Sequence, residues 1–200
     1  MEQNNRIWWK EAVVYQIYPR SFKDSNGDGI GDIKGITEKL DYLQTLGIDM
    51  IWMCPIFASP QRDSGYDIKD YYSIDPIFGT MEDLELLIAE AKKRNIYLMF
   101  DMVFNHTSTE HIWFQEALKG NSKYKNYYFF KKGKNGNLPT NWDSKFGGKA
   151  WKYVPEFDEY YLHLYDEKQA DLNWENEEVR NELIKIVNFW LKKGIRGFRF

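Results

Sequence analysis

Short apolar runs alternate with amphipathic segments along this chain. The apolar runs are AVVYQIYP, IDMIWMCP, IYLMFDMVF and IRGFRF. Between them lie three segments in which apolar residues recur every three or four positions: ITEKLDYLQTLG, TMEDLELLIAEAKKRN and ENEEVRNELIKIVNFWLKKG. Strands that alternate with helices are typical of a parallel sheet covered by those helices, so the pattern predicts an α/β fold.

Residues at the ends of the helical segments support this assignment. Gly47 follows the first segment as a helix stop, and Thr80 precedes the second as an N-cap. The third segment begins with acidic and ends with basic residues, as the helix dipole favours. We expect the first two helices to bury their apolar faces, which consist of Ile36, Leu40, Leu43 and Leu46 in one and Leu84, Leu87, Ile88 and Ala91 in the other.

The uneven spacing of these segments predicts three parts. Residues 105–174 separate the third strand from the third helix and lack long helical periodicity, so we predict a small irregular or β-containing insert there. Residues 1–104 would hold strands one to three and helices one and two, and residues 175–200 the third helix and fourth strand. Two architectures fit this order. One is a four-stranded doubly wound sheet, and the other is the N-terminal half of a (β/α)8 TIM barrel, which needs about 250 residues when complete.

Composition narrows the class of protein. Aromatic residues make up 18% of the chain, enough for a packed core and also for a cleft in which rings stack on sugars. A net charge of −3 argues against nucleic acid as the main partner. The single cysteine, Cys54, rules out an intramolecular disulfide framework and predicts a reducing, cytoplasmic location. We find no signal core at the N-terminus and no apolar run of about 18 residues, so no membrane association is expected.

The segment DSNGDGIGD resembles most of a calcium-binding loop. Oxygen donors occur at Asp24, Asn26, Asp28 and Asp32, joined by the carbonyl of Ile30, and Gly29 occupies the sixth position, where such loops turn sharply.

A calcium sensor or buffer of the EF-hand type is a weak alternative for this segment. The twelfth position, which should be glutamate, is Gly35, and a strand precedes the loop instead of a helix. Two interpretations remain: a structural Ca²⁺ site, or a loop of Asx turns without an ion.

Polar residues also follow the predicted strands at their carboxyl ends, where α/β proteins place their functional sites. They are Asp63, Asp67, Asp101, His106 and Arg199. Each alone could be a solvated loop residue, but their recurrence at the carboxyl ends of several strands favours a functional site. His106 and His111 are five residues apart, which does not match the helical spacing of a zinc pair, and we identify no third ligand.

Several of these residues carry a resemblance that extends over the whole chain. The segments DMVFNH, GYD, QADLNW and GFRF resemble the signature regions of the α-amylase superfamily of glycoside hydrolases. Within it, YQIYPRSF, DSNGDGIGD and KLDYLQTLGID are similar to the branch of oligo-1,6-glucosidases and trehalose-6-phosphate hydrolases. The segments QADLNWENEEVR and TNWDSKFGGKAW resemble the phosphotrehalases more, since oligo-1,6-glucosidases usually have proline in place of Ala170.

The resemblance implies roles for particular residues. His106 would donate to hydroxyls of the sugar that is cleaved, Tyr66 would stack beneath it, and Asp63 and Asp67 would hold its non-reducing end. Asp101 is expected among the substrate-binding residues. The relatives also hold a structural calcium ion in the loop described above.

The resemblance further implies that Arg199 orients a nucleophilic aspartate, which we expect directly after Phe200. The acid/base glutamate and a third aspartate would follow later. No residue of this chain takes their place, so residues 1–200 alone are expected to be inactive and to fold poorly.

The expected fold is therefore the N-terminal half of a TIM barrel with a small insert after the third strand. The expected function is that of the N-terminal part of a retaining α-glucosidase that hydrolyses trehalose 6-phosphate to glucose and glucose 6-phosphate. An oligo-1,6-glucosidase acting on isomalto-oligosaccharides and a non-catalytic sugar-binding relative are the alternatives. A phosphorylated substrate requires cationic groups, and Lys145, near Lys149 and Lys152, is the candidate for phosphate binding.

Overall fold

The structure is a computed structural model that describes residues 7–200. Residues 1–6, in the stretch where we find no signal core, lie outside the described residues. The helices are α1 (Trp8–Glu11), α2 (Pro19–Phe22), α3 (Ile33–Glu38), α4 (Leu40–Thr45), α5 (Met81–Lys93), α6 (Ile112–Leu118), α7 (Ser122–Lys125) and α8 (Glu177–Lys193). The strands are β1 (Val14–Ile17), β2 (Met50–Met53), β3 (Phe57–Ala58), β4 (Asp70–Ile74), β5 (Tyr97–Asp101), β6 (His106–Ser108), β7 (Phe130–Lys131), β8 (Trp151–Val154), β9 (Glu159–Leu162), β10 (Gln169–Asp171) and β11 (Gly197–Arg199).

The chain divides into two compact units. Of the described residues, the first contains 7–56 together with Ile74–Asp101 and Trp190–Arg199. The second contains Phe57–Ser73, Met102–Phe189 and Phe200. Across the described residues, none of the helices is long and apolar enough to cross a membrane.

The first unit is built on a four-stranded parallel sheet in the order β1-β2-β5-β11. This confirms the predicted α/β fold with four parallel strands. β1 and β11 lie at the two ends of the order, so the sheet formed by the described residues is open. Ile17, Met53 and Phe100 share one register and are all buried. Trp190 packs edge-to-face on Phe100 with ring centroids 5.1 Å apart, so helical residues cover this face of the sheet.

The first predicted helix is in fact two helices, α3 and α4, which are separated at Lys39. The hydroxyl of Thr37 donates to the carbonyl of Ile33 at 3.0 Å, a back-bond that bends helices. Three of the four predicted apolar positions are buried, but Leu46 is 51% exposed because α4 ends at Thr45.

The other two helices follow the prediction closely. Thr80 caps α5 in a capping box: its hydroxyl accepts from the amide of Asp83 at 3.2 Å, and the Asp83 carboxylate accepts from the amide of Thr80 at 3.0 Å. Ile88 is half-buried, whereas the other predicted core positions of α5 are buried. α8 has acidic residues in its first turn and lysines in its last.

The second unit contains antiparallel strands, in the order β7-β9-β8 and as the pair β10-β6. These strands lie within residues 105–174, where the sequence predicts β structure, and are joined there by the short helices α6 and α7. The unit also includes Phe57–Ser73 and most of α8. The boundaries predicted at residues 104 and 174 remain a prediction.

An aromatic core fills the second unit. Tyr71 is buried at its centre, and its ring lies 5.6 Å from that of Phe104 and 6.4 Å from that of Trp113. Its hydroxyl donates to the carbonyl of Val103 at 2.6 Å. Much of the aromatic content therefore serves packing, the simpler of the two roles considered from composition.

Candidate functional site

Strands β6 and β10 bring together buried polar side chains that are distant in sequence. The antiparallel register pairs Asp171 with His106 and Gln169 with Ser108. Because side chains alternate across a strand, Gln169, Asp171 and His106 lie on one face of this pair, whereas Ala170 and Thr107 lie on the other. The three polar residues are nearly inaccessible to solvent, so each needs hydrogen-bond partners.

His106 has partners at both ring nitrogens. Nε2 lies 2.9 Å from the carbonyl oxygen of Tyr66, and Nδ1 lies 3.2 Å from the side-chain nitrogen of Asn105. A neutral ring that donates from Nε2 and accepts at Nδ1 satisfies both contacts. Burial lowers the pKa of His106, although the Tyr66 carbonyl and the charges of Asp63 and Asp67 oppose this effect. The neutral form is therefore favoured at neutral pH.

Gln169 connects the same strand pair to the loop that carries Asp63 and Tyr66. Its side-chain nitrogen donates to the Asp63 carboxylate at 2.8 Å and to the Tyr66 carbonyl at 3.2 Å. The Tyr66 carbonyl thus faces donors from Gln169 and from His106. The structure therefore brings together three of the predicted site residues, Asp63, Tyr66 and His106.

Asp67 organises its own loop. One carboxylate oxygen accepts from the hydroxyl of Ser59 at 2.9 Å and from the amide of Asp63 at 3.1 Å. The other oxygen accepts from the amide of Arg62 at 3.0 Å. Asp67 is completely buried, so the structure assigns it a supporting role beneath Asp63. Its predicted contact with substrate remains a prediction.

Asp171 lies on the same strand pair and accepts hydrogen bonds from the side chain of Asn105 and from the amide of Leu164. Burial raises the pKa of Asp171 to about 6, although both hydrogen bonds and the charge of Lys145 act in the opposite direction. Asn105 bridges Asp171 and the His106 ring, so the orientation of the imidazole depends on this buried carboxylate.

Lys145 is held beside the strand pair through Tyr165. Its Nζ lies 5.0 Å from the centre of the Tyr165 ring and 3.4 Å from the phenol oxygen. The same ring lies 5.3 Å from the His106 imidazole. The two neighbouring lysines are paired with acidic residues: Lys149 with Asp143 at 2.7 Å, and Lys152 with Glu167 at 2.9 Å.

The first unit carries the other two predicted site residues. Arg199 lies opposite Asp101 in the β5–β11 register, and its Nη1 donates to both carboxylate oxygens, at 2.9 and 3.2 Å. The guanidinium carbon lies 5.4 Å from the centre of the Trp52 ring. The Arg199 side chain is 51% exposed, whereas its partner Asp101 is buried. The structure thus gives Asp101 a role in holding Arg199, and substrate binding by Asp101 remains a prediction.

The loop proposed to bind calcium is also in the first unit, between the short helices α2 and α3, so the expectation that no helix precedes it was wrong. Asp24 accepts from the amides of Gly27 and Gly29 at 2.7 and 2.8 Å, and these contacts lower its pKa. Gly29 has a φ of +88°, the left-handed turn that the sequence predicts. A Cβ atom at Gly35 would approach the Lys23 carbonyl to 2.0 Å, so the glutamate of an EF-hand does not fit there.

The oxygen donors of this loop suit a hard cation, but the described side chains do not point to one common position for it. Asp32 caps α3 through the amide of Gly35 at 2.6 Å and accepts from the hydroxyl of Ser25 at 2.8 Å. Among residues 7–200, no three Asp, Glu, His or Cys side chains are grouped as metal ligands. The Asx-turn interpretation thus describes the hydrogen bonds of the loop, and calcium remains a prediction.

Comparison with known proteins identifies the family. Residues 16–200 match the family model described as the α-amylase catalytic domain. The chain belongs to the α-amylase family. It is 57% identical to trehalose-6-phosphate hydrolase from Bacillus subtilis over the whole chain and 36% of that protein. It is 58% identical to oligo-1,6-glucosidase from Bacillus cereus over 96% of the chain and 35% of that protein.

The crystal structure of Bacillus licheniformis trehalose-6-phosphate hydrolase is similar in fold. It superposes with a TM-score of 0.94 and 59% identity over 96% of the chain and 35% of that structure. The chain thus spans about a third of the length of the α-amylase family members it matches.

Sequence reasoning from motifs found part of this site and missed the rest. Asn105 and QADLNW were noted only as family signatures, yet the exposed Asn105 and the buried Gln169 and Asp171 form the hydrogen-bond network around His106. Tyr165, which holds Lys145, was not predicted. A signal was present for Gln169 and Asp171: polar residues flank a small apolar one in QAD, as expected for a strand with one polar face.

Proposed function

We propose that the protein containing this chain is a retaining α-glucosidase that hydrolyses trehalose 6-phosphate to glucose and glucose 6-phosphate. The observation that carries the choice of substrate is the position of Lys145, which Tyr165 holds beside the His106 network. Similarity along the whole chain to a protein named trehalose-6-phosphate hydrolase supports the proposal.

The sugar-binding groups would act in the second unit. Tyr66 supplies a half-buried ring, and a ring that stacks against the apolar C–H face of a glucose unit excludes water from that face. Asp63 supplies a carboxylate that can accept from sugar hydroxyls. The neutral His106 ring can donate from Nε2 to a sugar hydroxyl. To do so, the N–H group must either bond the hydroxyl and the Tyr66 carbonyl together or leave the carbonyl.

The bond-breaking step would follow the two-carboxylate route of retaining glycosidases. A carboxylate attacks the anomeric carbon while a carboxylic acid protonates the departing oxygen, and water then cleaves the glycosyl–enzyme ester. We expect the nucleophilic aspartate to follow Phe200 directly. Arg199, held by Asp101, would then lie two positions before the nucleophile and stabilise it as a carboxylate.

Lys145 would bind the phosphate of the substrate. Lys149 and Lys152 already face carboxylates at hydrogen-bond distance, which offsets their charge. Lys145 forms its hydrogen bond with the neutral phenol of Tyr165 instead of a carboxylate, so its ammonium group can also bind an anionic ligand.

The experiment compares Lys145→Ala with Lys149→Ala in the full product of the gene. With trehalose 6-phosphate, Lys145→Ala should raise KM about tenfold, equivalent to about 1.4 kcal/mol of lost binding. Its KM for an unphosphorylated α-glucoside should not change. Lys149→Ala is the matched control and should have little effect on either substrate. An equal effect of Lys145→Ala on both substrates would remove the phosphate role.

The identity to an oligo-1,6-glucosidase favours a second candidate function, the hydrolysis of isomalto-oligosaccharides. Isomaltose cleaved faster than trehalose 6-phosphate at equal concentrations would establish that alternative. Sugar binding without any turnover would instead indicate the non-catalytic relative.

A structural Ca²⁺ ion and a cytoplasmic location complete the proposal. Asp24, Asn26, Asp28, Asp32 and the Ile30 carbonyl would hold the ion, whose charge would fix the loop between α2 and α3. The single cysteine, Cys54, leaves the chain without an internal disulfide framework, which supports a reducing compartment.

A further inference from the structure

Gln169 is a buried amide whose two polar atoms are both engaged. Its exposed fraction is 0%. Its Nε2 donates to the Asp63 carboxylate and to the Tyr66 carbonyl, and its Oε1 accepts from the amide of Asp166 at 2.9 Å. The first two hydrogen bonds join β10 to the loop that carries the candidate sugar-binding groups, and the third fixes the amide against the turn before β10.

Asp67 and Gln169 hold different atoms of this loop. Asp67 fixes the loop backbone by accepting from the amides of Arg62 and Asp63. Gln169 acts further out, on the carboxylate of Asp63 and the carbonyl of Tyr66. Removing the Gln169 donor should therefore free the Asp63 carboxylate to change direction and loosen the backbone around Tyr66, while the hydrogen bonds of Asp67 keep the loop near its native place.

We propose that Gln169 is a positioning residue for sugar binding, which aims the Asp63 carboxylate and fixes the Tyr66 backbone without itself contacting the sugar. The role in sugar binding rests on the proposed function, whereas the clamp itself is a property of this chain. An amide suits the task because one nitrogen donates two hydrogen bonds while the oxygen accepts a third.

Two substitutions test the role in sugar binding, both in the full product of the gene. Gln169→Glu has the same shape but places a carboxylate beside Asp63, and Gln169→Met removes every hydrogen bond at similar volume. Each should raise the KM for the better α-glucoside substrate about tenfold at about pH 7.5 while kcat changes less than about threefold. Misfolding would instead lower the active fraction, and therefore kcat, at unchanged KM. Gln44→Glu, on the exposed face of α4, is the control for the added charge and should match the wild type.

The pH dependence of Gln169→Glu gives a readout that a purely structural role would not. Two carboxylates about 3 Å apart share a proton when the pH falls, and that proton restores a donor between them. The KM of Gln169→Glu should therefore recover towards the wild-type value at about pH 5.5, whereas that of Gln169→Met should not. The titratable groups nearest to this position are Asp63, His106, Asp166 and Asp171, and the wild-type profile corrects for them.

Hydrogen exchange tests the clamp independently of activity. Backbone amides of residues 61–67 should exchange at least about fivefold faster in Gln169→Met than in the wild type, while those of α6 keep their wild-type rates. Unchanged exchange in residues 61–67 would overturn the clamp. Faster exchange with an unchanged KM would overturn the positioning role. A wild-type protein that is inactive on every α-glucoside would overturn the proposed function and the role in sugar binding, and exchange would still decide the clamp.

Discussion

The buried carboxylate of Asp171 should make the stability of the second unit depend on pH. We consider Asp171→Asn, which removes the ionisable group and keeps its size. Asp171 is only 3% exposed, and burial raises its pKa to about 6 from the ordinary 3.8. Because one pKa unit corresponds to about 1.4 kcal/mol, folding favours protonated over ionised Asp171 by about 3 kcal/mol.

The sign of this effect follows from proton binding. Between about pH 4 and pH 6 the folded state binds more protons at Asp171 than the unfolded state does, so this contribution to stability decreases as the pH rises through that window. Integrated from about pH 4.5 to 7.5, the loss is about 2 kcal/mol. Exposed carboxylates with a lowered pKa, such as Asp24, have the opposite trend, so only the difference between wild type and variant isolates Asp171.

Urea unfolding of the full gene product at a series of pH values measures this difference. Asp171→Asn should lose a constant amount of stability, since one oxygen cannot accept from both Leu164 and Asn105. On top of that offset, the wild type should lose about 2 kcal/mol more than the variant between about pH 4.5 and 7.5. Asp41→Asn, whose side chain is 81% exposed, is the control and should keep the wild-type slope. If Asp171→Asn keeps that slope as well, the buried carboxylate does not titrate as argued.

Two further substitutions test the calcium proposal and the aromatic core. Calcium should raise the Tm of the wild type above its value in chelator, and Asp28→Ala should abolish that rise because a predicted ligand is lost. Identical melting curves of the wild type in calcium and in chelator would contradict the calcium proposal. Tyr71→Phe should lower the free energy of unfolding by about 1–3 kcal/mol, because the carbonyl of Val103 loses a buried donor, with little change in KM. Tyr153→Phe, at an exposed ring, is its control in the same urea titration, and equal losses in both variants would contradict the argument.

Local signals in the sequence predicted much of the fold. The capping residue Thr80, the stop at Gly47 and the apolar runs each act within a few residues, and the corresponding helices and parallel strands are present. The break at Lys39 was missed because the apolar spacing continues across it, while the back-bond from Thr37 that bends the chain leaves no periodic signal.

The candidate site was only partly predictable because its polar network depends on non-local pairing. The register that sets Asp171 beside His106 joins residues more than sixty positions apart, and no local propensity encodes it. The motif around His106 directed attention to one strand, and its partner strand was noted only as a signature. Similarly, Lys149 and Lys152 are paired with acidic residues and Lys145 is not paired in this way. The folded structure shows this difference, and the sequence alone does not.

The most direct test of the account is proton NMR of the first turnovers of trehalose 6-phosphate by the full product of the gene. Retention predicts that the glucose released from the cleaved bond appears first as the α-anomer and only later equilibrates with the β-anomer. We therefore predict that α-glucose appears first, together with an equal amount of glucose 6-phosphate. Initial release of β-glucose would contradict the retaining mechanism, and the absence of glucose release from trehalose 6-phosphate would contradict the proposed function.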